Sequence, residues 1–203
     1  QGGVPELAAI IANQAPQITP ADVERTAPWG SFLVIFQKRD GKLQVVHRSF
    51  PFPTAISPLA FDVRIDRVVD FDHDGQNELL ITTTASRMST FSTAAFLYQW
   101  NDQEFVPIWS APIGEDNTAA INQPAYFASA SEIRFQDVDG NGLDEIFVTT
   151  TRVDYGRDTQ GLADTDHEMA RRTEQRVFHW GGADFVPDPA RTTPLPPLPS
   201  PTR

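Results

Sequence analysis

The chain has no cysteine. That excludes disulfides, thiolate zinc sites and a cysteine nucleophile. Methionine is scarce at 2 residues. No long apolar run occurs, and stretches such as residues 5–12 are far too short to cross a bilayer as a helix. Basic residues are few: Lys and Arg number 16 against 27 Asp and Glu, for a net charge of −11. A nucleic-acid partner needs a basic footprint, and this balance argues against one. An acidic chain of this kind invites cations. There is also no G-x-S-x-G nucleophile elbow and no phosphate-cradling glycine loop. What remains is a chain of 203 residues, 40% hydrophobic and 21% charged, ordinary values for one moderate globular domain.

The chain repeats itself. VDFDHDGQNELLITTT (69–84) matches QDVDGNGLDEIFVTTT (136–151) without a gap, Asp70 falling on Asp137. Downstream, LYQWNDQEFVP (97–107) matches VFHWGGADFVP (177–187), Trp100 falling on Trp180. The second unit carries an insertion between its two motifs, within residues 152–172. A degenerate copy, SFLVIFQKRDGKLQVV (31–46), precedes both and lacks the acidic loop. The chain thus reads as an N-terminal extension (1–30), a β-repeat domain (31–187) and a proline-rich tail (188–203). Within the domain, 31–50 is a half unit, 63–113 the first unit and 131–187 the second.

Each full unit reads as four strands, because short β-branched and aromatic segments are split by turn residues. They are expected near 63–69, 78–84, 94–100 and 105–110 in the first unit. In the second they fall near 132–136, 145–152, 174–180 and 185–186. Asp40-Gly41 and Gly181-Gly182 are hairpin signals. One short helix is expected at residues 5–13, and 169–176 suits a helical turn. Otherwise the fold class is all-β with antiparallel sheets.

The acidic loops share the pattern D-x-D-x-[D/N]-G-x-[D/N]-E. Asp70, Asp72, Asp74 and Glu78 occupy the alternating acidic positions of the first, and Asp137, Asp139, Asn141 and Glu145 those of the second. Alternate oxygen side chains on a tight loop converge on one point, which suits Ca²⁺ with its six to eight oxygen ligands. Gln76 and Leu143 are expected to add a backbone carbonyl each, and Gly75 and Gly142 permit the sharp turn. An EF-hand needs a bidentate Glu at its twelfth position and flanking helices. Ile81 and Val148 stand there instead, so that reading fails. Plain Asp-Gly turns are the simpler reading, but clustered carboxylates repel one another without a cation.

An acid at the ninth position running straight into a strand resembles the integrin alpha-subunit N-terminal propeller repeats, known as FG-GAP or VCBS-like repeats. The resemblance rests on 70–81 and 137–148, each followed by a Thr triplet, and with the hairpins covers about 63–187. It implies blades that each bind Ca²⁺ between their first two strands. Asp70, Asp72, Asp74, Gln76 and Glu78 would hold one ion; Asp137, Asp139, Asn141, Leu143 and Glu145 the other. The second set has one carboxylate fewer and is expected to bind more weakly. Propellers have four to eight blades, so about two and a half units imply an incomplete ring, an oligomer, or a smaller barrel or sandwich.

The family acts in extracellular recognition, which implies a non-catalytic, calcium-stabilised module that meets a protein or surface ligand. Calcium's abundance outside the cytoplasm and the start at Gln1 point to a periplasmic or secreted location. Two other functions compete. One is a glycan-binding or hydrolytic domain using the insert, with Asp154, Asp164, Asp166, His167 and Glu168; the plain reading of that insert is a solvated polar loop. The other is an accessory subunit or assembly factor, docking by strand edges and by a tail whose prolines lack the donor that sheet pairing needs. His47, His73, His167 and His179 have no catalytic setting, and His73 is expected to point outward. Trp100, Trp180, Phe105 and Phe185 read as core by their symmetric placement, and Trp29 and Trp109 as exposed contacts.

Overall fold

The computed structural model describes residues 7–13, 30–39, 42–48, 62–87, 89–101 and 104–196. These residues are all-β, with no helix among them. Strands β1 (Leu7–Asn13), β2 (Gly30–Arg39) and β3 (Lys42–Arg48) form a three-stranded antiparallel sheet in that order. The remaining strands are β4 (Asp62–Val69), β5 (Glu78–Arg87), β6 (Thr90–Trp100), β7 (Phe105–Asp116), β8 (Tyr126–Gln136), β9 (Glu145–Arg157), β10 (Ala163–Trp180) and β11 (Phe185–Pro187). They make one eight-stranded antiparallel meander in chain order, open at both edges.

This meander is nearly two sheets. β7 meets β8 only where Gly114, Glu115 and Asp116 pair with Ala130, Ser129 and Ala128. Elsewhere β4–β7 and β8–β11 part and face each other across a core. Leu80, Leu97 and Trp109 from the first half pack there with Ile146, Val148 and Phe178 from the second. The opposite side of the first half carries Leu79, Ile81 and Phe105, which pack on Leu33 and Ile35 of β2. The first half is therefore covered on both sides. That explains why β5 reads Leu79-Leu80-Ile81 without polar alternation: all three are buried, two toward one layer and one toward the other.

The expected strands are present, and several run longer. Five features correct the sequence reading. Residues 7–13 form β1 rather than a helix, paired along Gly30–Phe36; a short unbroken apolar run suits either state, and pairing decides it. Residues 169–176 lie inside β10, where Thr173, Glu174 and Gln175 pair with the β9 threonines Thr151, Thr150 and Thr149. The insert 152–172 is not a loose loop but the outer arm of the β9–β10 hairpin. Buried Asp154 holds Arg172 Nη2 at 2.5 Å and Arg152 Nη2 at 3.0 Å, and Tyr126 Oη donates to Gly161 O at 2.8 Å.

Trp109 is buried, not exposed, and meets Phe178 edge-on at 5.6 Å. β7 outlasts its counterpart β11 and so carries Trp109 between the halves. The tail also pairs: Thr193 and Gln175 exchange backbone hydrogen bonds of 2.8 and 2.9 Å, since Thr193 keeps the donor that the neighbouring prolines lack. Trp29, the Asp40-Gly41 turn, the His47 side chain and residues beyond 196 lie outside the described set, although β2 and β3 do pair at Arg39 and Lys42 beside that turn.

Candidate metal centre

Each acidic loop joins the first two strands of a half-sheet: 70–77 between β4 and β5, and 137–144 between β8 and β9. The two have the same construction. Gly75 N–H donates to Asp70 Oδ2 at 3.1 Å, and Gly142 N–H to Asp137 Oδ2 at 2.9 Å. These glycines sit at φ of 84° and 85°, in the left-handed region that side chains resist. Position four is left-handed too, at φ 57° for His73 and 74° for Gly140. The closing glutamate is buried in both and accepts from the backbone of position two: Phe71 N–H to Glu78 Oε2 at 3.3 Å, Val138 N–H to Glu145 Oε2 at 2.9 Å.

This construction gathers three carboxylates in each loop. One oxygen from each of Asp70, Asp72 and Glu78 lies within 4.8 Å of the others, and the same holds for Asp137, Asp139 and Glu145. The fourth expected side chains make local bonds within their own loops. Asp74 accepts from Gln76 N–H at 2.7 Å and from Gln76 Nε2 at 3.1 Å. Asn141 Oδ1 accepts from Leu143 N–H at 2.7 Å. Gln76 is exposed and Leu143 half-buried in their loops.

The first triad fits a hard cation on a further observation: Asp70 Oδ1 is shut off from solvent and has no hydrogen-bond partner. A buried carboxylate oxygen left in that state is costly unless a cation meets it. Burial, with the charges of Asp72 and Asp74 adding to it, pushes Glu78 from an ordinary 4.5 up to about 7, against the opposing Phe71 N–H and the Gln99 side chain. Asp72 is raised as well, chiefly by burial. In the second loop the direction is opposite: the Gly142 N–H, with those of Gly140 and Asn141, holds Asp137 below the usual range.

A pH dependence follows. The native state with chelator binds a proton on Glu78 that the unfolded chain has already released above its own pKa. The stability that Glu78 contributes is therefore fully present below about 4.5 and is lost as pH rises through about 7. Urea denaturation in chelator is expected to show a loss of about 2–3 kcal/mol between about pH 5 and about pH 8. A midpoint that is flat or rising over that span would contradict the buried-charge account.

The two loops also touch. Asp144 N–H donates to Phe71 O at 2.7 Å, and His73 Nε2 stands 3.7 Å from Asp144 Oδ1 while its side chain stays largely exposed. Phe71 reaches across the core, with ring centroids 5.1 Å from both Trp180 and Phe185. Two partners went unread in the sequence. Gln99 Nε2 stands 3.5 Å from Glu78 Oε1; its signal was its place beside the repeated tryptophan, where the second unit has the exposed strand residue His179. Arg191 Nη1 donates to Glu145 Oε1 at 2.8 Å, and it comes from a tail with no counterpart upstream. No protein-family model, curated protein or solved structure matches the chain.

Proposed function

We propose that the chain is a calcium-stabilised β-repeat module of the FG-GAP/VCBS type, without chemistry of its own, that meets a protein or surface ligand outside the cytoplasm. The observation that carries the reading is the repeated carboxylate triad, with a buried, unpartnered Asp70 oxygen in the first copy. Flexible loops of carboxylate and carbonyl oxygens favour Ca²⁺, whereas Mg²⁺ demands near-ideal octahedral geometry and gives up its waters reluctantly. The blade reading is supported by two four-stranded meanders in succession, each opening on an acidic loop and packed face to face. The role of the ion is structural: it clips together two strands and relieves the repulsion within the loop. The outer arm of the β9–β10 hairpin, with Met169 64% and Leu162 37% exposed, supports docking to a partner. No helix among the described residues is long and apolar enough to cross a membrane.

The test is a thermal melt of the full chain after chelator treatment. Calcium at about a hundred times its dissociation constant adds about 2.7 kcal/mol, which raises the Tm by roughly 5–10 °C in a domain of this size. Magnesium at the same concentration is expected to move it far less. Equal melts in chelator and calcium would overturn the reading.

A further inference from the structure

The two acidic loops differ in one respect that their shared backbone hides. Both closing glutamates are buried, Glu78 at 0% and Glu145 at 2% exposure. The hydrogen-bond donors to Glu78 are neutral, the Phe71 N–H and the Gln99 amide, and its charged neighbours are the acids Asp70 and Asp72. Glu145 faces the guanidinium of Arg191, which donates to its Oε1 at 2.8 Å.

The arginine is held in place by the tail that carries it. Asp188 Oδ1 accepts from Ala190 N–H and Arg191 N–H at 3.0 and 3.3 Å, and Asp188 Oδ2 stands 3.4 Å from Arg191 Nε. Thr192 Oγ1 donates to Asp188 O at 2.8 Å and accepts from Val177 N–H at 3.3 Å. The Thr193 pairing with Gln175 locks the next residue onto β10. Arg191 and Asp188 thereby line one cleft of about 260 Å³ together with Asp139, Asn141 and Glu145 of the loop. A positive charge on a short tether already stands where a free cation would have to enter.

We infer that Arg191 is a tethered cation that satisfies the second loop from within. The chain then takes up a free divalent cation at the first loop, and at the second only when Arg191 leaves Glu145. The physical reason is competition. Metal and guanidinium both draw on the Glu145 carboxylate, and two cations on one carboxylate repel. A tethered competitor also acts at a high effective concentration. The same arginine accounts for a buried glutamate in a loop where backbone N–H groups hold Asp137 and Asp139: a buried charge without a partner is disfavoured, and Arg191 supplies the partner. The inference rests on the calcium reading of the loops and refines it, assigning the two copies different occupants.

The test is a calorimetric titration of calcium chloride into the chelator-treated full chain. The unaltered protein is expected to bind about one ion per chain, and Arg191→Gln about two, the second at least about tenfold tighter than any second event in the parent. Arg191→Lys keeps the tethered charge and is expected to stay near one ion. Adding Glu145→Gln to Arg191→Gln is expected to remove the second ion while leaving the first, which assigns it to this loop. The inference is overturned if the parent binds two ions of similar affinity, or if Arg191→Gln, shown by its circular dichroism to keep the fold, binds as the parent does. If neither the parent nor any variant binds calcium, the calcium reading falls and the inference with it. That outcome is distinct from a parent that binds and an Arg191→Gln that gains nothing.

Discussion

Replacing Phe71 with Ala is expected to cost about 3–5 kcal/mol, the range for removing a fully buried aromatic ring. Phe71 stands in the second position of an acidic loop, yet it is 0% exposed and its ring packs on Trp180 and Phe185 of the other half-sheet. Its carbonyl accepts from Asp144 and its N–H supports Glu78. Truncation would open a cavity between the halves and loosen the loop that the ring anchors, so calcium affinity should weaken along with stability. The chain supplies its own control. Val138 holds the same position in the second loop but is 43% exposed. Val138→Ala is expected to cost no more than about 0.5 kcal/mol, as surface substitutions do. Urea midpoints of the two variants decide the matter. Equal losses would mean that Phe71 does not join the halves as described.

The second large effect changes sign with the medium. Glu78→Gln keeps the size and most of the hydrogen-bonding capacity of the side chain but removes a buried negative charge. In chelator at about pH 8 the variant is expected to be more stable than the parent by about 2 kcal/mol, because the parent must hold an ionised Glu78 away from water. In calcium the order is expected to reverse. The parent gains the stabilisation of the bound ion, and the variant, short of one carboxylate of the triad, gains little of it. Paired melts in chelator and in calcium give four values, and the account requires the two curves to cross. A variant that is less stable in both media would show that Glu78 stabilises the fold by its hydrogen bonds alone.

The parts of this architecture that show in the sequence are those in which each position is constrained separately. In the loops, Asp70, Asp72 and Glu78 must be acids, Gly75 must accept a left-handed backbone, and the Thr triplet must continue as a strand. Two copies of that pattern expose both the repeat and the triads. What stayed hidden depends on pairing between distant segments. Residues 7–12 are apolar throughout, and only the partner β2 makes the segment a strand. Residues 169–176 suit a helical turn, and pairing with β9, its threonines included, holds them extended instead. Trp109 has no counterpart in the second unit, so repeat symmetry said nothing of its burial. Arg191 sits among prolines that read as an extended tail. The turn at Asp188 and the bridge at Thr193 bring it to Glu145, far upstream in the chain. Asp74 holds a ligand position in the pattern, and the backbone and side chain of Gln76 each donate to one of its oxygens.

The central claim is that the first acidic loop takes up calcium, and equilibrium dialysis tests it most directly. The chelator-treated full chain is dialysed against calcium beside a variant carrying both Asp70→Asn and Glu78→Gln, and the bound metal is measured by atomic emission. The account predicts retained calcium in the parent and its loss in the double variant, with Asp74→Asn close to the parent because Asp74 stands apart from the triad. A parent that retains no calcium, or a double variant that retains as much as the parent, would contradict it.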